Sequence, residues 1–306
     1  MTIREIASGL KFPEGPIAMD DGSVILVEIQ KGTLTRVKPD GKLQTLAKLG
    51  GGPNGAAIGP DGAVYVCNNG GFEWAKRGGF LIPGHKPKDY SGGRIERVNL
   101  STGKAEVLYS ECDGQALRGP NDLVFDAEGG FWFTDHAKST HDHREWGALY
   151  YAKADGSKIV RAIGSIMAPN GVGLSPDELT VYYAETLSGR LMKADIAKPG
   201  TGKLLPGAGL VPGTYVGNGP GFTFFDSLAV QADGAICVAT LLNGGISTFS
   251  PQGKVKFTSI PGDPLVTNIC FGGKGLKTAY ITLSGSGKLI AMDWPKTGLA
   301  LNYLNK

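Results

Sequence analysis

The chain has 306 residues and a formal net charge of +3, with its Lys and Arg interspersed among acidic residues, so no nucleic-acid-binding face is expected. Its 48 glycines and 18 prolines are spread along the whole length, which favours many short strands joined by tight turns over a disordered tract. The four cysteines (Cys67, Cys112, Cys237, Cys270) form no C-x-x-C pair, the opening MTIREIASGLKF lacks an apolar core, and no apolar stretch approaches the ~20 residues of a membrane helix; reduced thiols, no membrane contact and a cytoplasmic location are the expectation.

In chain order, residues 4–10 precede the first repeat and have no hairpin of their own. Six segments then share one plan: PEGPIAMDDGSVILVE (13–28), PNGAAIGPDGAVYVCN (53–68), PNDLVFDAEGGFWFTD (120–135), PNGVGLSPDELTVYYA (169–184), FDSLAVQADGAICVAT (225–240) and TNICFGGKGLKTAYIT (267–282). Each places one polar residue near its start, in order Glu14, Asn54, Asn121, Asn170, Asp226 and Asn268. Seven positions on comes a turn residue, from Asp21 to the weaker Gly275, and then an apolar, β-branched or aromatic run, which marks a β-hairpin. A third run with its own turn follows, as in GRIERVNLSTGK (93–104) and GALYYAKADGSK (147–158). The unit is a four-stranded antiparallel meander, and six of them at this spacing predict an all-β, six-bladed β-propeller occupying 1–306 as one domain. Residues 4–10 are expected to pair as the outer strand of the last blade, which hides two sheet edges.

The long gap between the second and third repeats holds an insertion, about 71–91, rich in Gly and aromatic residues. It is read as a lid over the channel mouth. The stretch HAKSTHDH brings His136, His141 and His143 close in sequence. Its spacing matches no familiar zinc pattern, so these are read as loop histidines, with His136 at the mouth as a substrate contact or proton shuttle. No G-x-S-x-G occurs, which argues against a serine hydrolase.

Along an inner strand the residues two and four beyond each polar anchor, such as Leu123 and Phe125 or Val172 and Leu174, are expected to pack between blades. The anchors themselves share a phase and would converge at one mouth of the channel. Two are carboxylates, Glu14 and Asp226, and buried carboxylates that face one another repel unless a cation offsets them. Carboxylates with carboxamide oxygens make a hard, all-oxygen set suited to Ca²⁺, Mg²⁺ or Mn²⁺. Glu28 and Asp135, at the far end of their hairpins, are expected to orient such ligands.

FPEGP (12–16), PNDLVFDAEGGFWFTD (120–135), GALY (147–150), APNGVGLSPDELTVYYAET (168–186) and FDSLAVQADGAICVA (225–239) together resemble the SMP-30/gluconolactonase/LRE family. The resemblance implies a six-bladed propeller with one divalent metal ion, among Ca²⁺, Zn²⁺, Mn²⁺ and Fe²⁺, held by Glu14, Asn170 and Asp226. It also implies that Asp226 acts as the base toward water and that Asn121 faces the metal or substrate. Family members often carry an Arg two residues before the position of Asn121; here that position is Gly119, and Arg118 one step back is the candidate substrate contact. The function so implied is hydrolysis of a small lactone, a sugar-acid lactone or related cyclic ester, by metal-activated water. The alternative is a propeller that binds a ligand or protein without catalysis.

Overall fold

A computed structural model describes residues 2–207 and 213–306. The first strands of the six repeats, Pro13–Ala18, Pro53–Ile58, Pro120–Phe125, Pro169–Leu174, Phe224–Val230 and Val266–Gly272, lie next to one another in that order, and the last returns to the first. Each begins an antiparallel sheet of at least four strands, so the chain is a ring of six blades, the six-bladed propeller expected from the repeats. Closure is also as expected: Ile3–Ala7 pairs with Lys288–Asp293 and becomes the outer strand of the sixth blade.

The alternation of the repeats explains the packing. Apolar clusters fill the space between successive blades. Leu123 and Phe125 pack with Tyr65, Phe131 and Phe133 between the second and third, while Val172 and Leu174 pack with Trp132 and Tyr183 between the third and fourth. Burying one such side chain contributes about 1.5–3 kcal/mol. The four cysteines are free thiols. Among the described residues no helix is long and apolar enough to cross a membrane.

Close approach of the inner strands depends on glycine at one level. A Cβ on Gly15, which has φ +52°, would lie 2.7 Å from the Ala56 nitrogen, and one on Gly171 would lie 2.5 Å from the Leu228 nitrogen. These glycines directly follow the anchors Glu14 and Asn170, so the anchors stand where the blades converge most tightly.

Two parts of the architecture lie outside the repeat. The insertion folds as a small hairpin, Trp74–Arg77 with Phe80–Pro83. The C-terminal segment crosses the end of the channel opposite the anchors. There Asn305 Nδ2 donates to the Ala18 carbonyl, Tyr303 Oη to the Ala127 carbonyl, and the Leu299 N–H to the Val230 carbonyl. It covers a cavity of about 460 Å³.

Candidate active site

The anchors meet at a second, smaller cavity of about 190 Å³ at the other end of the channel. Glu14, Asn54, Asn121, Asn170 and Asp226 line it. The sixth anchor, Asn268, does not, and this corrects the expected ring of six. Val266 pairs with Leu283 just ahead of a bulge, as Pro13 does with Glu28 and Pro120 with Asp135, so Thr267 takes the anchor position. The sixth hairpin is longer than the third, which shifts the seven-residue count to its turn. Asn268 sits one step deeper, at the position that Asp122 takes in the third blade. Each accepts its successor's backbone N–H on its own side chain.

Glu14 is 2% exposed, and its Oε2 accepts from the Gly15 N–H at 2.9 Å and from Asn268 Nδ2 at 2.8 Å. Burial raises the pKa of Glu14 and of Asp226, and the Glu14 charge raises Asp226 further. Asp122, beneath them, is pushed up to about 7 by burial and then by Glu14. Three carboxyl groups thus disfavour one another's charge, and none has a cationic side chain within ion-pair distance among the described residues. Asn170 Nδ2 donates to Thr186 Oγ1 at 3.1 Å, which fixes the amide, while Asn170 Oδ1 and Asn121 Oδ1 are buried without a partner.

Those orphaned oxygens test whether a metal ion fits. Two amide oxygens lacking a donor and two carboxylates lacking a counter-charge, all on one small cavity, are what a hard divalent cation would satisfy. Its charge would offset the two carboxylates, and the residues present fit the group. Among the described residues no three His, Cys, Asp or Glu side chains gather as a metal cluster. The fit therefore rests on the mixed carboxylate and carboxamide set.

The far ends of the hairpins hold this floor in place in a way that differs from the expectation. Asp135 accepts backbone N–H groups of Arg118, Gly119 and Ala137 at 2.7–2.8 Å, and Glu28 accepts the Lys11 N–H at 2.9 Å. Both brace the chain just ahead of an anchor rather than the anchor's side chain. Non-glycine residues in the left-handed region occur beside the site, at Phe12 (φ 59°), Ala137 (φ 59°) and Ala168 (φ 51°). Such backbone costs of order 1–3 kcal/mol per residue and persists only where its surroundings enforce it.

The wall of the cavity comes from two loops. His136 lines it, half-buried, with its Nδ1 turned away from solvent. Its Nδ1 has no partner, and burial holds its pKa well below the usual histidine value, so the ring is neutral. His141 and His143 are exposed and stand apart from that lining; His141 packs against the ring of His85, with centroids 4.5 Å apart. Arg118 is also exposed and outside the lining, with Nη1 3.3 Å from the Trp146 carbonyl, because its backbone N–H is held by Asp135. The arginine of the cavity wall is Arg144. The insertion adds Phe72, Pro83, Gly84 and Lys86 to the lining. Sequence reasoning singled out neither Lys138 nor Arg144 nor Asp122. Asp122 was signalled by having Asp where Gly15 and Gly171 follow their anchors, while the two loop cations carry no repeat signal at all.

A six-bladed propeller with carboxylates and carboxamides gathered at one mouth defines a class of β-propeller with a hard-ligand pocket. Residues 12–285 match the family model of the SMP-30/gluconolactonase/LRE-like region, and the chain belongs to that family. It is 29% identical over 235 residues to the lactonase drp35 of Staphylococcus saprophyticus, covering 76% of this chain and 64% of that protein. The chain therefore spans just under two thirds of that relative's length. It is 27% identical over 313 residues to the gluconolactonase of Zymomonas mobilis, covering 92% and 79%. Among solved structures, a gluconolactonase from Xanthomonas campestris superposes with TM-score 0.74 at 20% identity, covering 96% of this chain and 89% of that one. Regucalcin from Agrobacterium tumefaciens, a calcium-binding protein, gives 0.72 at 16%, covering 97% and 94%. These structural likenesses speak to the fold.

Proposed function

We propose that the protein is a metal-dependent hydrolase of a small lactone, a sugar-acid lactone or related cyclic ester. The observation that carries this reading is Glu14 and Asp226 on one small cavity with two unpartnered carboxamide oxygens. Relatives named as lactonases and gluconolactonases support it. A scaffold that only bound a partner on its face would gain nothing from burying mutually repelling carboxylates, which costs several kcal/mol when uncompensated. The assigned metal ligands are Glu14, Asn170 and Asp226, for one divalent ion among Ca²⁺, Zn²⁺, Mn²⁺ and Fe²⁺. Such an ion polarises a carbonyl and acidifies water.

The chain's own groups supply the rest. A carboxylate oxygen of Asp226 takes the proton of the attacking water and returns it to the ring oxygen as the C–O bond breaks, leaving the hydroxy acid. Asn121 holds the lactone carbonyl or ring oxygen through its side-chain amide. Neutral His136 accepts a hydrogen bond from a substrate hydroxyl at Nδ1. Phe72 and Pro83 cover the mouth and exclude bulk water, which strengthens these interactions.

The test is a panel of lactones followed by pH indicator, with and without chelator, together with elemental analysis of the wild type, Glu14→Ala and Asp226→Ala. Metal content and activity are expected to fall together in both variants. Near-normal turnover in either one overturns the site.

A further inference from the structure

Resting on that lactone-hydrolysing reading, we propose that the substrate carries an anionic group, a carboxylate or phosphate, seated against Lys86, Lys138 and Arg144 on the cavity wall. The wall is built from two segments that clasp one another. The Lys86 N–H donates to the Ser139 carbonyl at 2.9 Å, and Lys138 Nζ donates to Asn69 Oδ1 at 2.9 Å and to the Gly71 carbonyl at 2.7 Å. Lys138 also stands 3.8 Å from the centre of the Phe72 ring, and Arg144 Nη2 donates to the His136 carbonyl at 2.6 Å. Lys138 and Arg144 are therefore fixed in place by the fold, whereas Lys86 is anchored through its backbone and keeps an exposed side chain.

None of the three forms an ion pair among the described residues, although all three line a cavity of about 190 Å³. The acidic groups that act on Lys138 and Arg144 are Asp135 and Glu145. Both are engaged elsewhere, Asp135 by three backbone N–H groups and Glu145 by the Lys138 N–H at 3.2 Å. Burial, then the neighbouring Arg144 and Lys86, bring the Lys138 ammonium down to about 7 against the pull of Asp135. A cluster of like charges held at such a cost needs an anion to offset it. Arg144 Nε is in addition buried with no acceptor, which is a donor waiting for an oxygen. Lys138 contributes mainly through its field, since two of its protons are already given, while Arg144 Nε and Lys86 Nζ are the donors available to a ligand.

The site is then divided by charge. Carboxylates lie on the floor, where the reacting carbonyl is held, and cations lie on the wall, where an anionic tail would rest. A neutral sugar lactone satisfies only the first. The reaction itself adds one carboxylate at the floor, so an anionic substrate leaves with one more negative charge than it brought.

The experiment compares three six-carbon lactones that differ only at the far carbon: hydroxymethyl, carboxylate and phosphorylated hydroxymethyl. For the wild type, kcat/KM for at least one of the anionic lactones should exceed that for the neutral one by about tenfold or more, and raised salt should shrink the gap. Lys86→Ala, at an exposed position, and Arg144→Gln should each lower the anionic-to-neutral ratio by about tenfold. Equal or better turnover of the neutral lactone by the wild type, or an unchanged ratio in both variants, overturns the proposal. Tetrahydropyran-2-carboxylate and tetrahydropyran-2-methanol, rings that cannot be hydrolysed, separate the two claims by calorimetry. If no lactone is turned over, the hydrolase reading fails. The anion seat then stands if the wild type binds the carboxylate ring more tightly than the methanol ring and Lys86→Ala does not, and falls if the two rings bind alike.

Discussion

Glu14, Asn121, Asn170 and Asp226 stand on the first strands of four blades, whereas Lys86, Lys138 and Arg144 stand on two loops that belong to no repeat. The first group is placed by the ring itself. Each anchor stands near the start of a strand clamped between neighbouring blades; Gly15 and Gly171, which tolerate no side chain, follow two of them, and Glu28 and Asp135 brace the chain ahead of Glu14 and Asn121. The second group is placed by a handful of hydrogen bonds between the insertion and the loop after the third hairpin. The floor can therefore hold one chemistry while the wall is rewritten for a different substrate, because changes in the loops leave the strands untouched.

The sharpest way to break this comparison is to alter the floor and find that only selectivity changes. Asp226→Asn keeps the size and removes the charge. It is expected to lower kcat/KM by at least about 10³-fold for every lactone alike, neutral or anionic, in a pH-indicator assay. A loss confined to one lactone would move Asp226 from the floor to the wall.

Next in size is the bracing. Asp135→Ala leaves three backbone N–H groups of Arg118, Gly119 and Ala137 without an acceptor. Each such loss costs about 1–3 kcal/mol, so a destabilisation of about 3 kcal/mol or more is expected in urea unfolding, with activity falling as Asn121 shifts. A stability change below 1 kcal/mol, on the order of an exposed substitution, would show that the hairpin end does not hold the floor.

The carboxyl cluster gives the comparison a pH signature. Asp122 has its folded-state pKa raised to about 7 from the ordinary 3.8, and Glu14 and Asp226 are raised as well. A group with a raised folded pKa binds its proton more tightly in the native state, so its contribution to stability is present at low pH and is lost as pH climbs through the folded value. Protein treated with chelator should accordingly lose thermal stability between about pH 4 and pH 7, and Asp122→Asn should flatten that slope. A melting temperature that rises over the same window in the stripped protein would contradict the account. The smallest effect is expected at Arg118. Its guanidinium lies outside the cavity, so Arg118→Ala should change kcat/KM by less than about threefold, as for an exposed position.

The floor was legible in the sequence because it is part of the repeat. A polar residue at one fixed phase, followed by alternating apolar positions, is the local signature of an inner strand. That signature brought Glu14, Asn121, Asn170 and Asp226 to one mouth. It failed at Asn268, where the longer sixth hairpin offsets the count and Thr267 takes the place. It could not reach Arg144 or Lys138, since their position depends on how two non-repeating loops grip each other, which is a tertiary fact. For the same reason Arg118, adjacent in sequence to the right strand, turned outward: its backbone is what Asp135 needs. The C-terminal cover over the opposite end of the channel is likewise invisible to a period, because it binds through a few side-chain amides and a tyrosine hydroxyl.

The most direct measurement is anomalous diffraction from crystals equilibrated with Mn²⁺. The account predicts one strong peak in the mouth cavity, within ligand distance of oxygens from Glu14, Asn170 and Asp226. A cavity without a peak at saturating Mn²⁺, or a peak whose ligands exclude both carboxylates, would contradict it.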